Sequence, residues 1–247
     1  MIPIHDNNPT HRWPIVTVSL IVTCVLVFFW QASLGSRAGT AAVYSFGFIP
    51  ALFFTDASLP PELAVVPAGA TLFTSMFLHG GFMHLAGNML YLWVFGNNIE
   101  DVCGHGRFLV FYLLCGVAAA LAQALPDPTS EVPMIGASGA ISGVLGAYLL
   151  LFPHARVRVL VPFFIFWVYE VPAGWLLGFW FVFQLLSGLG SDPTQGGVAF
   201  WAHIGGFAAG MALIFVFRDR RFQVGGGRRA SIRGRSRIPS TRSGPWS

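Results

Sequence analysis

The chain contains no lysine, and only 10% of its 247 residues are charged, against roughly 25% in an ordinary soluble domain. So little charge argues against a water-soluble enzyme. Hydrophobic residues make up 55%, Phe alone fills 24 positions and the mean hydropathy is +0.67, more apolar surface than a fold of this size can hide from water. Lipid must be part of the solvent. Cysteine is scarce as well: Cys24, Cys103 and Cys115 are odd in number, lack metal-ligand spacing and fall in or beside apolar segments. Neither a disulfide framework nor a zinc ribbon is expected. All 14 basic residues are Arg, nine of them between Arg218 and Arg242, so the net charge of +4 belongs largely to a tail. That basicity gives no reason to expect nucleic acid.

What is present is a series of apolar runs. A bilayer core near 30 Å thick calls for about 20 apolar residues per helix, and six runs come close, at 14–31, 82–99, 108–125, 137–152, 171–186 and 198–217. The fold class expected is therefore an all-α polytopic membrane protein, a six-helix bundle. Its parts are a cytoplasmic N-terminus at 1–13, the membrane domain at 14–217 with a long outer first loop at about 32–81, and a tail at 218–247. An even number of spans puts both termini on one side, and every Arg except Arg37 then shares that side, which marks it as cytoplasmic. Asp127, Glu131 and Asp192 fall in outer loops. The stretch 157–169 carries Pro162 between basic residues and Pro172, and reads as cytoplasmic interfacial structure or an inward extension of the fifth helix. The Gly/Ser/Arg-rich tail reads as disordered and cytosolic, with affinity for anionic lipid as its simplest role. A bacterial inner membrane is the expected location.

Polar groups are costly in a membrane and become functional candidates when several can meet. Three places qualify: Gly136-Ala137-Ser138-Gly139 at the start of the fourth span, His203 in the sixth, and His79, His84 and Asn88 at the start of the second. In the six-span topology the N-terminal ends of spans two, four and six lie at one depth, just below the outer face. His203, Gly206 and Gly210 share one helical face, and so do Ser138, Ser142 and Gly146, with Gly139 and Gly143 beside them. Small residues at this spacing let helix backbones approach closely in lipid, so spans four and six are expected to pack, bringing Ser138 within reach of His203. A Ser bonded to a neutral His is an activated nucleophile. His84 and Asn88 are four apart and can donate to a developing oxyanion together with the Ser138 backbone N–H. His79, five before His84, is expected to point elsewhere and tie the first loop to the helix.

Bland explanations exist for each piece. With 29 Gly and 16 Ser, a Gly-x-Ser-Gly pattern arises by chance about 0.2 times in this chain. Helix packing accounts for small residues, and polar contacts between helices account for His84 and Asn88. The coincidence of all of them at one depth is what favours function. Competing chemistries lack material: no His-Glu-x-x-His occurs, no Asp lies in the six core spans, and no Cys sits among the outer polar groups.

These residues resemble the rhomboid family of intramembrane serine proteases. The resemblance is carried by His79-Gly80-Gly81-Phe82-Met83-His84 continuing to Asn88, then Phe95-Gly96-Asn97-Asn98 with Glu100, Arg107-Phe108-Leu109, Gly136-Ala137-Ser138-Gly139, and His203 with Gly206 and Gly210. It implies that Ser138 is the nucleophile and His203 the general base of a dyad, that His84 and Asn88 serve the oxyanion, and that the Gly206/Gly210 face packs on the fourth helix. It further implies cleavage of membrane-embedded or membrane-adjacent segments of other proteins near the outer face, without cofactor or metal. The expected partners are single-span or other membrane protein substrates and the lipid bilayer, with no nucleic acid. Two positions depart from the pattern. Ala70 and Thr71 stand where many relatives have Trp-Arg, and Ser142 stands where some have a Tyr packed on the catalytic His, so another group must orient His203. The rival functions are a catalytically silent rhomboid-like helix-binding protein, which normally lacks the Ser or the His, and a small transporter, for which no ionisable path crosses toward the cytoplasmic half.

Overall fold

Backbone N–H and C=O groups that lipid cannot satisfy must be satisfied within the chain, which favours helices. The computed structural model describes residues 1–163, 165–191, 197–225 and 227–228. Asp192 and the tail from 229 onward lie outside the described residues. Helix α1 (Ile15–Ser33) is followed by three helices within the expected first loop, α2 (Gly35–Phe46), α3 (Pro50–Phe54) and α4 (Ala68–Thr74). Helix α5 (Phe82–Tyr91) passes through a π-helical turn at Leu92–Gly96 into α6 (Asn97–Cys103). Then come α7 (His105–Ala124), α8 (Ser138–Leu151), α9 (Ala173–Leu189) and α10 (Phe200–Phe217).

Three of these, α1, α7 and α10, are long and apolar enough to cross a membrane. Helix α8 has only 14 residues, about 21 Å of rise, yet every residue from Gly139 to Tyr148 is buried. Walled in by neighbours, it has no need to match the lipid thickness. Helix α9 behaves differently: Trp175, Phe179, Val182, Phe183 and Leu186 are exposed along one face, while Leu176, Leu177 and Gln184 are buried on the other. An apolar outward face is what lipid requires.

The all-α expectation needs correction at one end of the bundle. The segment 157–169 is not an inward extension of α9; its described residues lie in two paired strands outside the helices. Strand β2 (Arg156–Phe163) turns back on β3 (Ile165–Pro172), and β1 (Ile2–Asp6) pairs antiparallel with β2, setting Asp6 opposite Val157. Val157 and Val159 are buried, while Arg158 points out and holds Glu170, its cross-strand partner, at 2.9 Å. Glu170 is thus paired. Asp6 is buried and accepts a 2.5 Å hydrogen bond from Tyr148 Oη. Burial raises its carboxyl pKa above the ordinary value, with the Tyr148 bond opposing. The first described residues of the tail also pack: β4 (Phe222–Gln223) pairs with β5 (Gly227–Arg228), and Phe222 is buried.

The same end is tied by acidic side chains. Glu100 is fully buried and receives Val16 N–H at 2.9 Å, Thr17 N–H at 2.8 Å and Thr17 Oγ1 at 2.7 Å, with His105 Nδ1 at 2.6 Å. A carboxylate there satisfies otherwise unpartnered donors at the α1 N-terminus and favours its dipole. Asp101 receives His11 N–H. Gly104, at φ +80°, makes the turn from α6 to α7 in a conformation that favours glycine.

Candidate active site

The site forms where the N-terminal ends of α5, α8 and α10 converge. Gly206 and Gly210 of α10 lie directly on α8: a Cβ at Gly206 would overlap the Gly139 carbonyl oxygen, and one at Gly210 the Gly143 carbonyl oxygen. Gly146 similarly leaves no room for a side chain against the Phe207 carbonyl. Ser142 does not share this packing face. It faces the cavity, and its hydroxyl donates to the Ser138 carbonyl at 2.7 Å. The contact face runs through Gly139, Gly143 and Gly146, one position around the helix from Ser138 and Ser142, because neighbouring positions differ by about 100°.

This close approach brings Ser138, which opens α8, to His203 on the first turn of α10. Ser138 Oγ and His203 Nε2 are 2.9 Å apart, a hydrogen bond between residues 65 positions distant. On its other side, His203 Nδ1 lies 2.7 Å from Gln184 Oε1 of α9, and Trp180 flanks the ring at 5.9 Å. Gln184 is only 6% exposed. The start of α10 is fixed by the Gln123 amide oxygen of α7, which accepts from Ala202 N–H at 3.1 Å.

Ser138, His203, His84, Asn88 and Ser142 line one cavity of about 560 Å³, whose walls include Met83, Tyr91, Ile141, Leu145 and Trp180. As the first residue of α8, Ser138 has a backbone N–H without an intrahelical acceptor. Asn88 is 8% exposed, and its Nδ2 has no hydrogen-bond partner among the described residues, an unusual state for a buried amide donor. His84 Nδ1 accepts from Gly80 N–H at 3.3 Å. A neutral ring that accepts at Nδ1 carries its proton at Nε2, and that Nε2 borders Gly136. At φ +125° Gly136 favours glycine, and a Cβ there would stand 2.8 Å from His84 Nε2. Glycine is needed at this position for backbone shape and for the imidazole's approach.

His79 departs from expectation. Its N–H bonds Gln31 Oε1 of α1 at 3.0 Å, a different helix from the one expected, and its ring does not point away from His84; the two stand edge to face at 5.2 Å. Helix α5 begins only at Phe82, so helical spacing does not relate positions 79 and 84. The first loop is also more ordered than a plain connection. Phe48 and Met134 exchange backbone hydrogen bonds of 3.0 and 2.8 Å, which hold the segment preceding Ser138.

Gln184 was not among the residues singled out in the sequence. Its signal was there: it is a long polar side chain within an apolar helix, the kind of residue that marks a site in a membrane protein.

Comparison with known proteins bears on this arrangement. Residues 68–220 match the rhomboid domain. The chain is 31% identical over 163 residues to "Rhomboid protein 1, mitochondrial" of Saccharomyces cerevisiae, covering 62% of this chain and 45% of the yeast protein. It is 35% identical over 138 residues to "Rhomboid protease GluP" of Bacillus subtilis, covering 55% and 24%, and 34% identical over 146 residues to "RHOMBOID-like protein 5" of Arabidopsis thaliana, covering 59% and 43%. The alignments thus span less than half the length of each of these relatives. Because they include mitochondrial and plant proteins, they do not support a bacterial inner membrane in particular. With a domain match over more than half its length and a helical fold whose outward faces are apolar, the chain belongs to the rhomboid family of polytopic membrane proteins.

Proposed function

We propose that the chain is an intramembrane serine endopeptidase that cleaves transmembrane or membrane-adjacent segments of membrane protein substrates. The observation that carries this reading is the 2.9 Å contact between Ser138 Oγ and His203 Nε2 beside an open cavity. As Oγ attacks the scissile carbonyl carbon, its proton passes to Nε2 and the carbonyl π pair moves onto oxygen. Asn88 Nδ2, His84 Nε2–H and the Ser138 backbone N–H stabilise that oxyanion. Collapse breaks the C–N bond, Nε2–H protonates the departing amine, and water admitted through the cavity hydrolyses the acyl-enzyme by the same proton route in reverse.

The membrane domain in this reading has six spans, with α5, its π turn and α6 acting as one and α8 and α9 completing the set. Both termini face the cytoplasm and the cavity opens toward the outer face, in keeping with the Arg distribution. The protease in the name of the Bacillus subtilis relative supports the chemistry. The test is incubation of reconstituted protein with tagged single-span membrane proteins. Wild type yields cleaved product, whereas Ser138→Ala and His203→Ala yield none while remaining folded. Equal cleavage by wild type and Ser138→Ala would overturn the mechanism. A folded wild type that binds the tagged proteins and cleaves none would favour the silent helix-binding alternative.

A further inference from the structure

We infer that Gln184 is a positioning residue that fixes the tautomer and ring orientation of His203, an amide in the place where many serine hydrolases have a carboxylate. The inference rests on the reading of Ser138 and His203 as nucleophile and base. An imidazole takes a proton from a hydroxyl only through a bare nitrogen, so His203 works as a base toward Ser138 only when Nε2 is unprotonated and its single neutral-state proton is at Nδ1. Gln184 Oε1, 2.7 Å from Nδ1, is an acceptor for that proton. The wrong tautomer would instead present Nε2–H to Ser138 Oγ and leave two lone pairs facing each other at Nδ1 and Oε1.

Three observations locate the effect in Gln184. It is buried on the inward face of α9, away from the lipid-facing Phe179, Val182, Phe183 and Leu186. Its partner sits on α10, so the bond joins α9 to the catalytic helix at the depth of the chemistry. Ser142, on the Ser138 helix, donates instead to the Ser138 carbonyl and makes no bond to the imidazole. During attack Nε2 gains the Ser138 proton while Nδ1–H stays on Nδ1, so the amide oxygen keeps the imidazolium oriented without itself changing protonation. A neutral amide supplies a dipole rather than a full charge, so its loss should cost less than loss of a triad carboxylate.

The experiment uses the full chain in lipid nanodiscs with ¹⁵N-labelled histidine, the His203 signals being identified by their disappearance in His203→Ala. Wild type and Ser138→Ala should both show His203 protonated at Nδ1 and bare at Nε2. Gln184→Leu should show a mixture or the opposite tautomer, with kcat lowered about 10- to 100-fold, a loss smaller than that from reversing the tautomer in a Ser-His-Asp enzyme. KM should stay within about two-fold, with the melting temperature little changed. Gln184→Glu, which keeps an acceptor oxygen, should restore the tautomer and most of kcat. A wild-type His203 carrying its neutral-state proton at Nε2 would overturn the inference, even if Gln184→Leu fails to fold. So would Gln184→Leu retaining both tautomer and kcat. Turnover surviving in Ser138→Ala would instead overturn the parent mechanism, an outcome distinct from these.

Discussion

The two ends of the helix bundle differ in how their buried charged and catalytic-site polar groups are met, although the sheet end also holds one atom unpartnered among the described residues, Asn98 Oδ1. At the end closed by the β-sheet, Glu100 meets three donors and His105, and Asp6 meets Tyr148. At the other end Asn88 leaves Nδ2 unpartnered among the described residues and Ser138 opens a helix with an N–H that has no intrahelical acceptor, both beside a cavity of about 560 Å³. A buried polar group with all its partners holds the fold together. One held without a partner is a standing cost that the surrounding packing must support, and it makes sense where a reacting group arrives to fill the vacancy.

The largest effect expected from breaking this contrast is at the open end. Asn88→Ala removes a donor that stabilises nothing in the resting state, so kcat should fall by roughly 10- to 1,000-fold, the upper range being that for loss of one oxyanion donor. KM should move less, since the negative charge exists only during reaction, and the melting temperature should hold. Preserved kcat with lost stability would make Asn88 a helix-packing residue and end the oxyanion assignment.

The closed end should respond the other way. Glu100→Ala strands Val16 N–H, Thr17 N–H and the Thr17 hydroxyl, and should lower stability by about 3 kcal/mol, the scale for losing charged hydrogen bonds at a buried site. Turnover per folded molecule should stay near that of wild type. An unchanged denaturation midpoint would show that this carboxylate is not an anchor.

A smaller effect tests what connects the two ends. Gly210→Ala places a methyl group against the Gly143 carbonyl and should cost about 2 kcal/mol, typical of overpacking. Because Gly210 lies seven residues beyond His203, the spread of α8 and α10 should also reduce kcat modestly through a longer Ser138–His203 contact. Unaltered stability would mean that the helices pack less closely than described.

The helix starts and the polar cluster were legible in the sequence because both depend on local spacing. Apolar runs near 20 residues marked the helices within a few positions, and His203, Gly206 and Gly210 fell on one face as helical geometry requires. What was hidden depended on distant partners or on departures from regular helix. The β1 strand at Ile2–Asp6 has no local signal, since its partner Arg156–Phe163 comes some 150 residues later. The alternation Arg156-Val157-Arg158-Val159 carried a strand signal, but the apolar stretch that follows obscured it. The π turn at Leu92–Gly96 interrupts what reads as one continuous helix. Spacing alone puts Ser142 on the packing face, because a one-position rotation of α8 leaves no trace in the sequence. Gln184 lies on an apolar helix whose buried face only the packing reveals.

The central claim is that His203 activates Ser138, and labelling with a fluorophosphonate tests it most directly because no substrate needs to be known. The phosphonyl group bonds covalently to an activated serine oxygen and expels fluoride, so wild type should be labelled, with the adduct found on Ser138 by peptide mass analysis. Ser138→Ala should remain unlabelled, and His203→Ala should be labelled far more slowly. Equal labelling of wild type and Ser138→Ala would contradict the account.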